Sequence, residues 1–365
     1  MKDIDEYYVP WIKGQKMYIS DHLELAWRDK ALHRMMSNEN PLAPSAKVLK
    51  AMNEYSKMAN RYPDSGVVVR NKIAEINSLD GAGNVLIGNG SCEVFDMVFR
   101  CFIQPGDEVI QHTPCFGIYK LRCNALGGKP ISVPMIYKDQ LEFDPDAILE
   151  AITDKTKIIV IANPNNPTGN FMDEKDFIRM ADRGIPFVVD EAYIEFAGLE
   201  KSMVKLTKQY KNVMIMRTLS KAYGLAGLRF GYMLGDKDIV DQISATLLPW
   251  NVGTVSMWTA LVSLEDREAL EERRNFVNSQ VKFIEESIKD VPGLTVFHSY
   301  ANYILFDGGK AGKKGNDMVD FALTKGVILR PVNPMYNSNG FFRITVGTKE
   351  ENKMAVNLIK EFFSN

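Results

Sequence analysis

RTLSKAYGLAGLRFGY, residues 217–232, lies between two short apolar runs and decides how the rest of the chain reads. Val213–Arg217 before it and Phe230–Leu234 at its close have the length and composition of buried strands. Between them stand the Ser220-Lys221 pair, Gly224, Gly227 and, eight residues after the lysine, Arg229. A lysine at a strand end among apolar neighbours is costly to bury unless its pKa falls or it is paired. That cost suits an amine that must be neutral to attack a carbonyl. A lone Ser-Lys pair reads as a surface loop; the glycines and Arg229 favour a working lysine without deciding it.

Outward from this stretch, β-branched runs alternate with amphipathic ones. Further strands are expected at Asn84–Ile87, Glu108–Gln111, Lys157–Ala162 and Phe187–Asp190, with helices such as Glu93–Phe102 and Glu174–Asp182 between them. Runs of four to six apolar residues separated by helices imply an α/β domain with a mostly parallel sheet covered on both faces. From Leu261 to Val291 the sequence becomes long, helical and densely charged on one side, a solvated helix joining two units. Strands at Leu294–Phe297, Tyr303–Phe306, Val327–Leu329 and Phe341–Val346 and helices at Gly315–Lys325 and Lys349–Phe363 then form an α+β part. The expected division is 45–265 for the large domain, with 1–44 and 266–365 in the small one.

Three more clusters follow strands directly. Val188-Val189-Asp190-Glu191-Ala192-Tyr193 puts a carboxylate at the carboxyl end of an apolar strand, where open α/β sheets bind ligands. A carboxylate there can keep a pyridine nitrogen protonated, or can simply cap a helix. In Asn163-Pro164-Asn165-Asn166-Pro167-Thr168-Gly169 the prolines and glycine fix a turn and aim Asn166 as a donor. Gly88-Asn89-Gly90-Ser91-Cys92-Glu93 opens a helix whose first amides could cradle a phosphate. It matches neither the dinucleotide fingerprint nor the P-loop.

The composition excludes several classes. A net charge of -2 over 365 residues, without a basic tract, disfavours nucleic acid as a partner. No apolar run approaches the roughly 18 residues that span a bilayer, so no membrane partner is expected. The opening MKDIDEYYVPWIKGQK is charged and aromatic, unlike a signal peptide. The cysteines, Cys92, Cys101, Cys115 and Cys123, form no CxxC pair and the four histidines no ligand spacing, so no metal is expected and the cytoplasm is the expected compartment.

Taken together, SNENPLAPS (37–45), RYPD (61–64), GNGSCE (88–93), PCFGIY (114–119), NPNNPTG (163–169), VVDEAYIEF (188–196), RTLSKAYGLAGLRFGY and FRITVGT (342–348) resemble the fold-type I pyridoxal-phosphate (PLP) aminotransferases. Within that group the sequence is most similar to histidinol-phosphate aminotransferases. The resemblance runs in family order over nearly the whole chain and implies an aspartate aminotransferase-like large domain with a mostly parallel seven-stranded sheet.

The resemblance implies roles as well. Lys221 would hold PLP as a Schiff base and shuttle a proton; Asp190 would pair with the pyridine nitrogen. Asn166 and Tyr193 would hydrogen-bond the phenolic oxygen, and Phe116, where the family usually has tyrosine, would stack on the ring. Ser220, Arg229 and the amides of Ser91 and Cys92 would hold the phosphate, which Tyr62 would reach across a homodimer interface. Arg343, with Arg330 as a second candidate, would bind the acidic group of the substrate; Asn40 and Trp11 (in Pro10-Trp11, where the family tends to have Pro-Tyr) would line the same pocket. The expected reaction is transfer of an amine from a small phosphorylated substrate, histidinol phosphate foremost, to 2-oxoglutarate. The nearest rival, suggested by Pro249-Trp250-Asn251-Val252 and Ala301-Asn302-Tyr303, is decarboxylation of a phosphorylated amino acid. Residues before Pro44, including the long segment Tyr18–Met36, are expected to pack on the small domain.

Overall fold

The computed structural model describes residues 3–16 and 21–364. Its centre is a seven-stranded sheet of β1 (Val85–Asn89), β2 (Glu108–Thr113), β3 (Lys129–Pro134), β4 (Thr156–Ala162), β5 (Phe187–Asp190), β6 (Val213–Thr218) and β7 (Phe230–Leu234). The spatial order is β1-β7-β6-β5-β4-β2-β3, and all neighbours are parallel except around β7, which runs antiparallel to β1 and β6. The central strands form because Ile158–Ile161, Phe187–Val189 and Val213–Met216 are apolar on both faces, and the sheet buries both. Each such side chain, fully buried, contributes roughly 1.5–3 kcal/mol.

Six of these strands lie where the sequence places them. The seventh, β3, is not legible: Lys129-Pro130-Ile131-Ser132-Val133-Pro134 has two prolines, which remove ladder donors and fit only an edge. It is the edge strand beside β2.

Helices named below are α1 (Asp21–Arg28), α2 (Ala46–Ser56), α3 (Gly90–Phe102), α4 (Thr254–Glu265), α5 (Arg267–Ile288), α6 (Gly315–Thr324) and α7 (Lys349–Ser364). The long charged stretch is two helices, α4 and α5, broken at Asp266. The Asp266 carboxylate takes the hydroxyl of Ser45 at 2.6 Å and the ammonium of Lys47 at 3.0 Å, so the start of α2 is tied to the break. One face of α5 (Val277, Val281, Ile284, Ile288) is buried with α7 and a four-stranded antiparallel sheet of β8 (Thr295–Val296), β9 (Tyr303–Asp307), β10 (Arg330–Pro331) and β11 (Phe341–Thr345), in the order β8-β9-β11-β10.

The N-terminal segment divides its contacts. His33–Arg34 pair in parallel with Val327–Ile328, and Thr345 N donates to Met35 O at 2.9 Å, so this part is bonded to the C-terminal strands. Trp11 sits elsewhere: its ring fills the space over the bare Cα of Gly127 beside Pro105, at the amino end of β2. Tyr18–Ser20 of the long segment lie outside the described residues. Trp27 and Arg34, in the same segment, form a cation–π pair at 5.2 Å near the surface of the C-terminal unit.

Candidate active site

The carboxyl ends of β1, β2, β4, β5 and β6 point to one edge of the sheet, the position in which open α/β sheets bind ligands. Each ends in a cluster singled out above: Gly90–Cys92 after β1, Phe116 after β2, Asn166 after β4, Asp190 ending β5, Ser220 and Lys221 after β6. Arg229 reaches the same edge because β7 is reversed, so that its first residue pairs with Asn89.

At one end of this cleft Gly90 opens α3, a thirteen-residue helix whose first amides are left without intrahelical partners. The Arg229 guanidinium covers Gly90 so closely that a Cβ there would collide with it, and Nη1 reaches Ser220 Oγ at 3.5 Å and Ala226 O at 3.1 Å. Beneath them Gly231 lets β7 pass against the α3 terminus: a Cβ at 231 would strike the Ser91 amide nitrogen and the Gly90 carbonyl carbon. Backbone amides, a hydroxyl and a guanidinium at a helix N-terminus form a cup for a phosphate. Gly231→Ala is expected to lose about 1–3 kcal/mol of stability through overpacking and to loosen the cup. Denaturant titration and phosphate-ligand affinity measure the two effects.

At the other end stands Asp190. Burial pushes its carboxyl up to about 6, against the Tyr119 hydroxyl, which donates to Oδ2, and the Ala192 amide, which donates to Oδ1 at 3.1 Å. It is therefore mostly ionised at neutral pH and aimed into the cleft by two donors. Tyr119 carries Phe116 edge-on at 5.9 Å, so the stacking candidate is braced through the carboxylate's own partner. Behind Asp190, the buried Glu191 holds Arg217 Nε at 2.9 Å, and Arg217 also donates to Asn77 Oδ1 (2.9 Å) and Ser202 Oγ (2.6 Å). This network locks the end of β5 to that of β6.

Lys221 lies between the two ends. Burial first, and then the positive charge of Arg343, bring its amine down to about 8, while Glu39 acts against them. Nζ donates to Ser37 O at 3.1 Å and lies 5.9 Å from the centre of the Tyr193 ring. The Tyr193 hydroxyl accepts from Asn38 Nδ2 at 2.8 Å. Arg343, on β11, donates through Nη1 to Asn166 Oδ1 and through Nη2 to Met36 O at 2.9 Å, with its guanidinium 4.9 Å over the Tyr303 ring.

The structure thus brings Ser91, Cys92, Phe116, Asn166, Asp190, Tyr193, Ser220, Lys221, Arg229 and Arg343 together. The Asn40 amide donates to the backbone carbonyls of Lys221 and Ala222, both at 3.2 Å, and so clamps the lysine's own turn. Arg330 faces Arg343 in register across β10–β11 and lines an adjoining cavity with Asp21, His22 and Asn316. Trp11, seated on Gly127, is not part of the cluster. Tyr62 is 77% exposed. Sequence reasoning missed Tyr119, Asn38 and the Glu191–Arg217 pair. The first two lie inside quoted motifs, PCFGIY and SNENPLAPS, but nothing in their spacing gives the partner of each hydroxyl or amide.

The group implied by the sequence resemblance suits this donor set. PLP needs a phosphate cup, a buried carboxylate for its ring nitrogen and an amine of depressed pKa, and the cleft supplies all three. Among the described residues no group of His, Cys, Asp and Glu has the arrangement of a metal site.

Comparison with known proteins accords with this geometry. The family described as aminotransferase class I and II matches residues 32–359. Histidinol-phosphate aminotransferase 1 of Idiomarina loihiensis is 36% identical over 338 residues, covering 90% of this chain and 89% of its own length. The histidinol-phosphate aminotransferase of Methanosphaera stadtmanae is 30% identical over 364 residues, covering 99% and 98%. In fold, the chain is similar to the histidinol-phosphate aminotransferase of Sinorhizobium meliloti solved in complex with pyridoxal-5'-phosphate, at a TM-score of 0.89, 22% identity and 98% coverage of both chains. The L-threonine-O-3-phosphate decarboxylase of Porphyromonas gingivalis shares the fold at a TM-score of 0.78 and 21% identity, covering 92% of this chain and 100% of its own. The chain belongs to the aminotransferase class I and II family.

Proposed function

We propose that the protein is a PLP-dependent aminotransferase that takes an amino group from a small phosphorylated amine, histidinol phosphate foremost, and passes it to 2-oxoglutarate. The observation that carries this reading is the placing of Lys221 between a phosphate cup and the buried carboxylate of Asp190. The curated relatives' names supply the choice of amine.

Lys221 would hold the cofactor covalently, Asp190 its ring nitrogen, Asn166 and Tyr193 its phenolic oxygen, and Ser91, Cys92, Ser220 and Arg229 its phosphate. When bound, PLP supplies an electron sink for charge developing on the substrate carbon. The protein does the rest. Asp190, fixed by Tyr119 and Ala192, would keep a proton at the cofactor's ring nitrogen. Arg343 accepts the acidic group of the substrate and thereby orients the amine; its bond to Asn166 Oδ1 leaves that amide's NH2 as the end that donates. Lys221, whose amine titrates near 8, can take up and return a proton at working pH. Phe116 offers an aromatic face without the hydroxyl that a tyrosine would add.

The homodimer is the unit assigned here, with 45–265 as the cofactor domain and 1–44 plus 266–365 as the smaller one. The exposure of Tyr62 supports its reach toward a neighbouring subunit. The free cysteines suit a reducing cytoplasm, and among the described residues no helix is long and apolar enough to cross a membrane.

The test is a single-turnover absorbance trace of the holoenzyme mixed with histidinol phosphate in the absence of a keto acid. Complete loss of the lysine-bound cofactor band, with pyridoxamine phosphate as the product, is expected. Release of carbon dioxide from phosphothreonine or phosphoserine, with histidinol phosphate inert, would overturn transamination in favour of decarboxylation.

A further inference from the structure

Tyr62 and Trp250 form a stacked pair on the surface, their ring centres 4.4 Å apart and their planes 24° from parallel. They remain 77% and 58% exposed, so the pair is not a core contact. Trp250 has φ +55°, the left-handed region that bulky residues rarely adopt. A ring left so exposed gains little from that conformation, so its neighbours impose it. Asn251, next in the chain, donates to Ile87 O at 3.1 Å and Glu93 Oε2 at 3.2 Å, and its carbonyl accepts from Asn89 Nδ2 at 2.5 Å. Thr254 Oγ1 donates to Arg61 O at 3.3 Å, directly beside Tyr62. Trp250 is thus tied through Asn251 to the β1–α3 junction that forms the phosphate cup, and the residue before Tyr62 is tied to the start of α4, four residues after Trp250. Exposed Leu248, Met58, Val67 and Val68 add apolar surface from the same chain segments. Unusual backbone held by over-determined neighbours is a mark of function.

We infer that Trp250 is a positioning residue: it holds Tyr62 in place to reach the cofactor phosphate of a second copy of this chain, an inference that rests on the reading of Tyr62 as acting across the dimer. In an isologous interface a patch beside one cup can face the partner's cup, and the partner's patch returns the contact.

The experiment compares holoenzyme variants Tyr62→Phe, Trp250→Ala, Trp250→Phe and the double variant Tyr62→Phe/Trp250→Ala. PLP dissociation constants are read by dialysis and absorbance, and mass by light scattering. Trp250→Ala is expected to remain dimeric and to weaken PLP about three- to tenfold, the range set by a stacked aromatic pair. Trp250→Phe should restore most of that loss, and the double variant should be no worse than Tyr62→Phe alone. If Tyr62→Phe weakens PLP while Trp250→Ala does not, the inference fails and the reading of Tyr62 stands. If Tyr62→Phe changes nothing, that reading fails and the inference falls with it. A monomeric Trp250→Ala protein that Trp250→Phe does not rescue makes the residue an interface prop and also overturns the inference.

Discussion

Lys221→Ala is expected to abolish covalent attachment of PLP and to slow amine transfer on the order of 10⁴-fold, the upper end of what a positioned acid–base group supplies. The measurement is borohydride reduction of the holoenzyme followed by peptide mass analysis, alongside single-turnover rates. In the native protein the cofactor should be fixed at Lys221 and nowhere else; fixation on another lysine, with the absorbance band intact in the variant, would sink the assignment. The reactivity of the native lysine toward the cofactor follows from protonation. At pH 8 an amine with the ordinary lysine value of about 10.4 is neutral in roughly one molecule in 250. Lys221, brought down to about 8 by burial and by Arg343, is neutral in about half. The direction with pH follows: capture of PLP by the cofactor-free protein should accelerate as pH rises through the region near 8 and then level off, because only the neutral amine attacks. A limb near 10 instead would place the lysine in water.

Much of this site is legible in the sequence because the chemistry sits at strand ends. A parallel sheet delivers every carboxyl end to one edge, so the residues just after Ala162, Val189 and Thr218 must converge once the strands are recognised. Arg229 stands out in the sequence by its place eight residues after Lys221, but the reversed strand that carries it to this edge is visible only in the structure. The parts that were not legible depend on long-range placement. Tyr119 and Asp190 are seventy-one residues apart, and Asn38 and Tyr193 are separated by 155. No periodicity encodes either pair. The resemblance implies a substrate role for Asn40, and nothing in its spacing encodes the two backbone carbonyls to which its amide donates. The resemblance implies a substrate role for Trp11 through Pro10-Trp11, and neither residue carries a signal for the gap above Gly127 that the ring fills. Edge strand β3 was hidden by its own prolines, the feature that makes it suitable for an edge.

Arg343→Ala should weaken binding of acidic substrates by about 3 kcal/mol, roughly 150-fold, as loss of a partner for a buried charge does. Arg343 is only 7% exposed, and its guanidinium is held by Asn166, Met36 O and the Tyr303 face, so it is set in place before any substrate arrives. The same charge is the second cause, after burial, of the lowered Lys221 pKa. Removing it should therefore raise that pKa and move the limb for PLP capture to higher pH. Arg343→Lys separates the two effects. It keeps a positive charge near the amine but loses the planar fork that receives a carboxylate or phosphate through two parallel bonds. The lysine variant should hold the pH limb close to its native position while still binding substrate poorly, and the alanine variant should lose both. Glutamate affinity from half-reaction kinetics, and the pH profile of PLP capture, measure the two separately. Unchanged glutamate affinity in Arg343→Ala would remove the residue from the substrate site, and an unmoved limb would mean that burial alone sets the lysine.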